Sequence, residues 1–191
     1  MYCFVKLKME SQKENNNEME SSKEKYASFL LIKTNLNVLH VLQSLNRNSL
    51  VKWAEAVYGP YQIVVYMESC IEQNLINFIE NLRSQKGIAE LDARKVKNIP
   101  FDENLKFNFS SKKRNAVLLI NVNYKEERER VVTYNLRKIG GVFWARAMWG
   151  PSDIIALVEA NDNESMRNLI CDEIKTLNGV QNNTTLYCYS I

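Results

Sequence analysis

Two kinds of apolar pattern alternate along the first half of the chain. Short apolar runs rich in β-branched and aromatic residues have the length and composition of strands. Between them, apolar residues return every three or four positions, which is typical of one face of a helix. Gly59-Pro60-Tyr61 has the composition of a tight hairpin turn. The patterns predict strands at 28–34, 50–58, 63–68 and 88–96, and helices at 35–46 and 71–84.

The second half of the chain repeats this order of elements. Its apolar runs and helical periods are again separated by turns that contain glycine, at Gly140-Gly141 and Asn178-Gly179. Both halves therefore have the predicted order βαββαβ. In the second half the patterns predict strands at 116–122, 142–149, 152–160 and 180–189, and helices at 125–138 and 163–177.

The two halves also resemble each other in amino-acid sequence. Residues 53–63, WAEAVYGPYQI, return as residues 144–154, WARAMWGPSDI, and Glu68 returns as Glu159. The offset is constant at 91 residues (144 minus 53, and 159 minus 68), which indicates an internal duplication. A unit of about 70 residues leaves much of its apolar surface unburied. We therefore expect the two units to pack against each other.

The predicted fold class is α+β. The order βαββαβ is that of the ferredoxin-like fold, in which four antiparallel strands carry both helices on one face. Because the opposite face needs a cover, we predict two tandem ferredoxin-like modules packed sheet to sheet as an intrachain dimeric α+β barrel. Strand alternation places Trp53 and Trp144 on the covered face. Glu55 and Arg146 share that face with opposite charges, and either approach each other or a ligand, or reach water at a sheet edge.

Composition also suggests the domain boundaries. Residues 1–26 are polar and charged, and we expect them to be disordered or weakly ordered. The first module spans 27–98, a basic connector spans 99–115 and the second module spans 116–191. From residue 93 to residue 115 the chain has seven bases and two acids, which fits a solvated connector or a contact with nucleic acid. Since no groove-reading element accompanies these bases, we predict no specific nucleic-acid binding.

Composition narrows the function classes. The chain has 191 residues and a formal net charge of +3, and no apolar run approaches the roughly 18 residues that span a bilayer. Its start lacks a signal-peptide pattern. Its four cysteines lack metal-ligand spacing, and its one histidine, His40, has no second histidine, nucleophile with a base or phosphate-binding loop beside it. We therefore predict a cytoplasmic protein that is not an enzyme, with no catalytic or metal-binding residues, no cofactor and no membrane contact.

The duplicated hairpin carries a family resemblance. The segments LLIKT, EAVYGPYQIVVYME and ENLRSQKGI, and in the second half RAMWGPSDIIALVEA and IKTLNGV, resemble the effector-binding (RAM-like) domain of Lrp/AsnC-family regulators. The resemblance covers about residues 27–97 and 116–190. Members of that family join this domain to an N-terminal helix-turn-helix, dimerise through their sheets and bind amino acids or related molecules. Residues 1–26 are too few for a helix-turn-helix, so we expect a tandem effector-binding domain without one.

The resemblance also implies a ligand site beside the second hairpin. The family usually carries an aspartate two residues after the hairpin proline, and Asp153 keeps it whereas Gln62 does not. We expect Asp153 to accept a hydrogen bond from an ammonium or hydroxyl group of the ligand. The alternative is that Asp153 accepts backbone N–H groups of its own turn. The other predicted ligand-binding residues are Gly150, Pro151, Trp149, Trp144, Arg146, Gly59 and Gln62.

These observations lead to three functional expectations. The first is a non-enzymatic, stand-alone Lrp/AsnC-like protein that senses an amino acid or a similar small molecule in transcriptional or metabolic regulation. It would act through Lrp/AsnC-family paralogues or by self-association. The second expectation is a ligand-free protein–protein interaction module. The third is an α+β-barrel enzyme or haem protein.

Overall fold

The computed structural model describes residues 25–97, 113–125 and 127–189. Within them, the first half of the chain folds into four strands and two helices that lie close to the predicted positions. These elements are β1 (Tyr26–Thr34), α1 (Val38–Leu45), β2 (Val51–Tyr58), β3 (Ile63–Ser69), α2 (Glu72–Ser84) and β4 (Ile88–Lys95).

The described part of the second half repeats the order. Its last helix begins as an α-helix and continues as a π-helix, in which the Lys175 N–H donates to the Ile170 carbonyl at 3.0 Å. The elements are β5 (Arg114–Val122), α3 (Glu129–Leu136), β6 (Val142–Ala147), β7 (Ile154–Ala160), α4 (Asn163–Asn168, continued by the π-helix Leu169–Ile174) and β8 (Val180–Tyr189).

The eight described strands form one antiparallel sheet in the order β4-β1-β3-β2-β8-β5-β7-β6. In each half the first strand pairs with both the third and the fourth. The predicted α+β class is therefore confirmed. The halves are joined where β2 pairs with β8, and the paired residues are Ala56 with Tyr189, Val57 with Cys188, and Tyr58 with Tyr187.

The two edge strands of this sheet meet as well. Val96, just after β4, and Met148, just after β6, form an isolated antiparallel bridge. Beside it, the Trp149 N–H donates to the Lys95 carbonyl at 2.8 Å. The sheet thus bends back on itself until its first and last strands touch.

The inner face of the sheet is a buried core that draws on both halves of the chain. The ring centroids of Phe29 and Tyr66, from the first half, lie 5.5 and 6.1 Å from that of Trp144, from the second. Trp53 belongs to the same cluster, and both tryptophans are buried. They lie on the face that strand alternation predicted for them.

The helices cover the outer face of the sheet in two separate clusters. Each cluster uses the alternate strand positions together with one face of two helices, as the two periods require. Helices α1 and α2 contribute the buried side chains of Val41, Leu42, Leu45, Leu75 and Leu82, whereas α3, α4 and the π-helix contribute Val132, Leu136, Met166, Leu169, Ile170 and Ile174.

Two helices begin later than the sequence predicts. Helix α1 begins after Asn37, whose side-chain oxygen accepts from the backbone N–H groups of Leu39 and His40, and not at residue 35. Helix α3 begins at Glu129 instead of residue 125. The charged residues before it favour a helix by propensity, but the Tyr124 hydroxyl contacts the distant Asp153 as well as Glu129 at the helix start, and local propensity gives way to these contacts.

The predicted domain boundaries fall mostly in residues that the structure does not describe. The N-terminal segment 1–26 and the connector 99–115 fall almost entirely outside the described residues, so the module boundaries stay predictions. None of the described helices is long and apolar enough to cross a membrane.

Candidate functional site

The second hairpin, between β6 and β7, is shaped by Gly150. Its φ of +145° is a backbone conformation that side-chain-bearing residues rarely adopt. A Cβ atom built on it would lie 3.4 Å from Cγ of Arg94, on the opposing strand. The backbone conformation therefore requires glycine at this position, and an added Cβ would come into van der Waals contact with the Arg94 side chain.

Asp153 fastens this hairpin to the end of β5. Its Oδ2 accepts from the Val122 N–H at 2.8 Å, and its Oδ1 accepts from the Tyr124 hydroxyl at 2.7 Å. In the first half, Gln62 Oε1 accepts from the Thr34 N–H at 3.1 Å. An amide oxygen and a carboxylate oxygen thus serve the same anchoring role in the two hairpins. The contact between Asp153 and a ligand stays a prediction.

The Tyr124 hydroxyl lies between two carboxylates. Its distance to Asp153 Oδ1 is 2.7 Å, and its distance to Glu129 Oε2 is 2.9 Å. Because a phenol carries one proton, it can donate to one of these carboxylates at a time. Partial burial, together with the hydrogen bonds to Asp153 and Glu129, raises the pKa of Tyr124 above its ordinary value. The phenol therefore stays protonated across the physiological range.

Lys97 connects this carboxylate to the hairpin aromatic. Its Nζ lies 2.7 and 2.9 Å from the two oxygens of Glu129, and 4.0 Å from the ring centroid of Trp149. The second distance is that of a cation–π contact. Asp153, Tyr124, Glu129, Lys97 and Trp149 therefore form one chain of contacts around the second hairpin.

A cavity of 480 Å³ lies next to these residues, between α3 and β6. Its size is in the range of small-molecule sites. Four bases and one acid line it, which gives a formal excess of +3 (4 minus 1). The lining residues are Lys97, Glu129, Arg130, Thr133, Tyr134, Arg137, Arg146 and Ala147.

Two arginines of the lining are held in place by the same strand. Nε and Nη2 of Arg137 donate to the Ala145 carbonyl at 2.8 and 2.6 Å. Arg146 is 7% exposed, and its Nη1 lies 3.3 Å from the same carbonyl. A cation with so little contact with water interacts more strongly with an anion than a surface cation does. The cavity is therefore suited to an anionic group.

The predicted site residues separate into four places. Arg146 lines the cavity. Asp153 is connected to Glu129, a lining residue, through the Tyr124 hydroxyl, which contacts both carboxylates. Trp144 lies in the buried interior. Trp149 and Gly150 lie on the second hairpin with Pro151, which is exposed, while Gly59 and Gln62 lie on the first hairpin. Glu55 is half-buried, burial raises its pKa, and it is not among the residues that line the cavity.

Sequence reasoning missed most of the cavity residues. Lys97 falls in the basic segment interpreted as a connector, and Glu129, Arg130 and Arg137 fall in a helix whose charges are typical of a solvated face. A mixed charge run at a helix start is the one signal that was present. In the part of the chain that the structure describes, no group of three or more His, Cys, Asp or Glu side chains could hold a metal ion.

Comparisons with known proteins show the fold and no closer relationship. No family model matches the chain, and no curated protein matches it. The structure of the siroheme decarboxylase NirDL matches with a TM-score of 0.60 at 9% identity, covering 86% of this chain and 72% of that one. A mutant chlorite dismutase from Candidatus Nitrospira defluvii matches with a TM-score of 0.54 at 11% identity, covering 87% and 91%. The shared fold is ferredoxin-like.

These matches correct one prediction. The expectation that the protein is not an enzyme is wrong, because these two structures, which share its fold, are those of enzymes. It rested on the absence of familiar catalytic motifs around His40. A fold accommodates many chemistries through the residues placed on it, so missing motifs do not exclude catalysis.

Proposed function

We propose that this protein is a ligand-binding regulatory module of the Lrp/AsnC effector-binding type, built from two related ferredoxin-like halves closed into one α+β barrel. The strand orders β4-β1-β3-β2 and β8-β5-β7-β6 support the tandem arrangement. So do the two equivalent hairpins anchored by Gln62 and Asp153. The inner core, shared by Trp53 and Trp144, makes each half the cover of the other.

The ligand is a small molecule that bears a carboxylate, and it binds in the cavity between α3 and β6. The observation that carries this proposal is the excess of three positive charges among eight lining residues. Arginine guanidinium groups match the two oxygens of a carboxylate. Arg146, which is buried and lies at the cavity wall, is the residue on which we expect binding to depend most.

An amino acid satisfies both signs of charge at this site. Glu129 is the single acid of the lining and pairs with Lys97. An incoming ammonium group can take the place of the Lys97 ammonium, which leaves Lys97 for the ligand carboxylate. The bound state would act through partners, either Lrp/AsnC-family paralogues or further copies of this chain.

A thermal-shift screen of the full chain against the twenty amino acids tests this function. A ligand at 100 times its Kd adds about 2.7 kcal/mol to the free energy of unfolding, which raises the Tm of a chain of this size by about 5–10 °C. Arg146→Gln should remove the shift. Arg167→Gln, an exposed arginine on α4, is the matched control and should keep it. If no amino acid shifts the Tm, the interaction-module alternative is favoured instead.

A second candidate is an enzyme that acts on a polycarboxylate tetrapyrrole. The observation that favours it is the basic cavity in a fold shared, over 86% of this chain, with a siroheme decarboxylase. The cavity residues fit carboxylates. No histidine, cysteine or methionine is among the lining residues to hold the iron, and His40 is exposed on α1. Titration with siroheme, followed by absorbance and by mass analysis of the products, separates the candidates, because loss of carbon dioxide would identify the enzyme.

A further inference from the structure

Arg94 is one of two buried arginines among the described residues, and it lies at a position in the interior of the sheet where an apolar residue is expected. Arg94 pairs across β1 and β4 with Phe29, which belongs to the inner core. The arginine is 4% exposed. A charged side chain that has so little contact with water is costly unless its donors are satisfied.

The repeat shows which residue this position accommodates. Leu186 on β8 pairs with Val117 on β5, as Arg94 pairs with Phe29, and Leu186 is completely buried in the inner core. Each of the two residues also lies against a hairpin glycine. Leu186 lies against Gly59, and Arg94 lies against Gly150. The two halves therefore place leucine and arginine in the same structural position.

The guanidinium of Arg94 is satisfied on one edge. Nε and Nη2 donate to Oδ2 of Asp92 at 2.9 and 2.7 Å. The Tyr61 hydroxyl lies 3.3 Å from the same oxygen. Nη1 is buried, and no acceptor for it lies among the described residues. Because the guanidinium is planar, Nη1 faces away from the Asp92 carboxylate.

This cluster is confined to the first half. By the register with β5, the counterpart of Asp92 is Thr184, which pairs with Leu119 as Asp92 pairs with Leu31. A buried ion pair adds little stability compared with well-packed apolar residues. The leucine in the other half shows that this position can be apolar, so stability alone does not account for the arginine.

We propose that Arg94, Asp92 and Tyr61 form a second binding site, which takes one small carboxylate per chain inside the sheet beneath the second hairpin. Nη1 of Arg94 donates to a carboxylate oxygen of the ligand, while Asp92, which the Tyr61 hydroxyl contacts, holds the opposite edge of the guanidinium. The site does not depend on the cavity between α3 and β6, and it goes beyond the function proposed above.

The repeat supplies the test variant. Asp92→Thr combined with Arg94→Leu gives β4 the two residues, threonine and leucine, that β8 has at the equivalent positions. In chloride alone, the double variant should melt at the same temperature as the unmodified chain or higher. A lower Tm would mean that the ion pair is structural, and it would overturn the proposal.

Acetate is the probe for binding, titrated against chloride at constant ionic strength. Because the cavity is also proposed to bind carboxylates through Arg146, every chain in this titration carries Arg146→Gln. In that background the Tm should rise along a saturable curve, and adding the double substitution should remove the saturable part, which distinguishes this site from the cavity. Arg94→Lys retains the charge without Nη1, and should also lose the saturable rise. A curve without saturation, or one that is equal in the Arg94 variants, overturns the proposal.

Discussion

The two junctions between the halves use equivalent positions in different ways. Where β2 meets β8, the ring of Tyr189 stacks on that of Tyr58, with centroids 4.1 Å apart. Where β6 approaches β4, Lys97 replaces the stacking ring and lies 4.0 Å from the centroid of Trp149. The β2–β8 junction pairs three residues in register, whereas the β4–β6 junction has a single bridge among the described residues.

This difference agrees with a structural role for the first junction and with the ligand binding proposed beside the second. The stacked tyrosines extend the paired strands with aromatic contacts. At the other junction, Lys97 forms an ion pair with Glu129, and both residues line the cavity. A duplicated chain can thus keep one copy of a contact for stability while the other copy diverges toward a ligand.

The largest expected effect comes from truncating the shared core. Trp144→Ala should lower the free energy of unfolding by about 3–5 kcal/mol, because a large buried side chain leaves a cavity between the halves. Trp149→Ala is the matched control on the exposed hairpin and should cost about 1 kcal/mol or less, the magnitude of an exposed cation–π contact. Urea unfolding measures both. Equal losses would mean that the core does not join the halves.

A smaller loss is expected at the second hairpin. Gly150→Ala forces a side chain into a positive φ and against Arg94, and should cost about 1–3 kcal/mol. Gly140→Ala, where no atom lies within 4 Å of the added Cβ, should change stability by about 0.5 kcal/mol at most. Both values come from chemical denaturation. If Gly150→Ala has the same stability as the unmodified chain, the hairpin can move away from Arg94.

Asp153 and Gln62, the side chains that anchor the two hairpins, should contribute differently to stability, because Asp153 accepts two of the hydrogen bonds described above and Gln62 accepts one. Asp153→Ala leaves the Val122 N–H and the Tyr124 hydroxyl without this acceptor, and should cost about 1–3 kcal/mol. Gln62→Ala leaves the Thr34 N–H without this acceptor, and should lower the free energy of unfolding by about 1 kcal/mol. Neither side chain lines the cavity, so both substitutions should weaken ligand binding less than Arg146→Gln does. Equal losses of stability from the two alanine variants would contradict the difference between the anchors.

The smallest effect is a pH dependence specific to Tyr124. Its pKa is raised in the folded protein, so the neutral phenol contributes stability that is complete below the unfolded value of about 10 and is lost as the pH rises above it. Tyr124→Phe should therefore flatten the fall of Tm between pH 9 and 11, limits of roughly one unit on either side of that value. Tyr134→Phe, a substitution of an exposed tyrosine on α3, controls for the loss of a surface hydroxyl. An unchanged slope in Tyr124→Phe would indicate that the phenol does not hold the two carboxylates.

Local patterns determined much of the fold because strands and helices are encoded by neighbouring residues. The 91-residue repeat predicted that the second half copies the first, and strand alternation placed Trp53 and Trp144 on the buried face. The starts of α1 and α3 were less predictable. At α3, the hydroxyl of Tyr124 contacts Asp153, which is 29 residues away in sequence, and no local window contains such a contact.

By itself, the sequence determined the duplication, the α+β class and the side of the sheet on which Trp53 and Trp144 lie, because periodicity and repetition can be read from the order of residues along the chain. Tertiary structure alone decided which strand edges meet, and therefore that Lys97 reaches Glu129 across 32 residues and that Arg94 is buried where Leu186 stands in the repeat. Charged residues have no periodic signature of their own. Their surroundings follow from the closure of the sheet, which brings distant segments together.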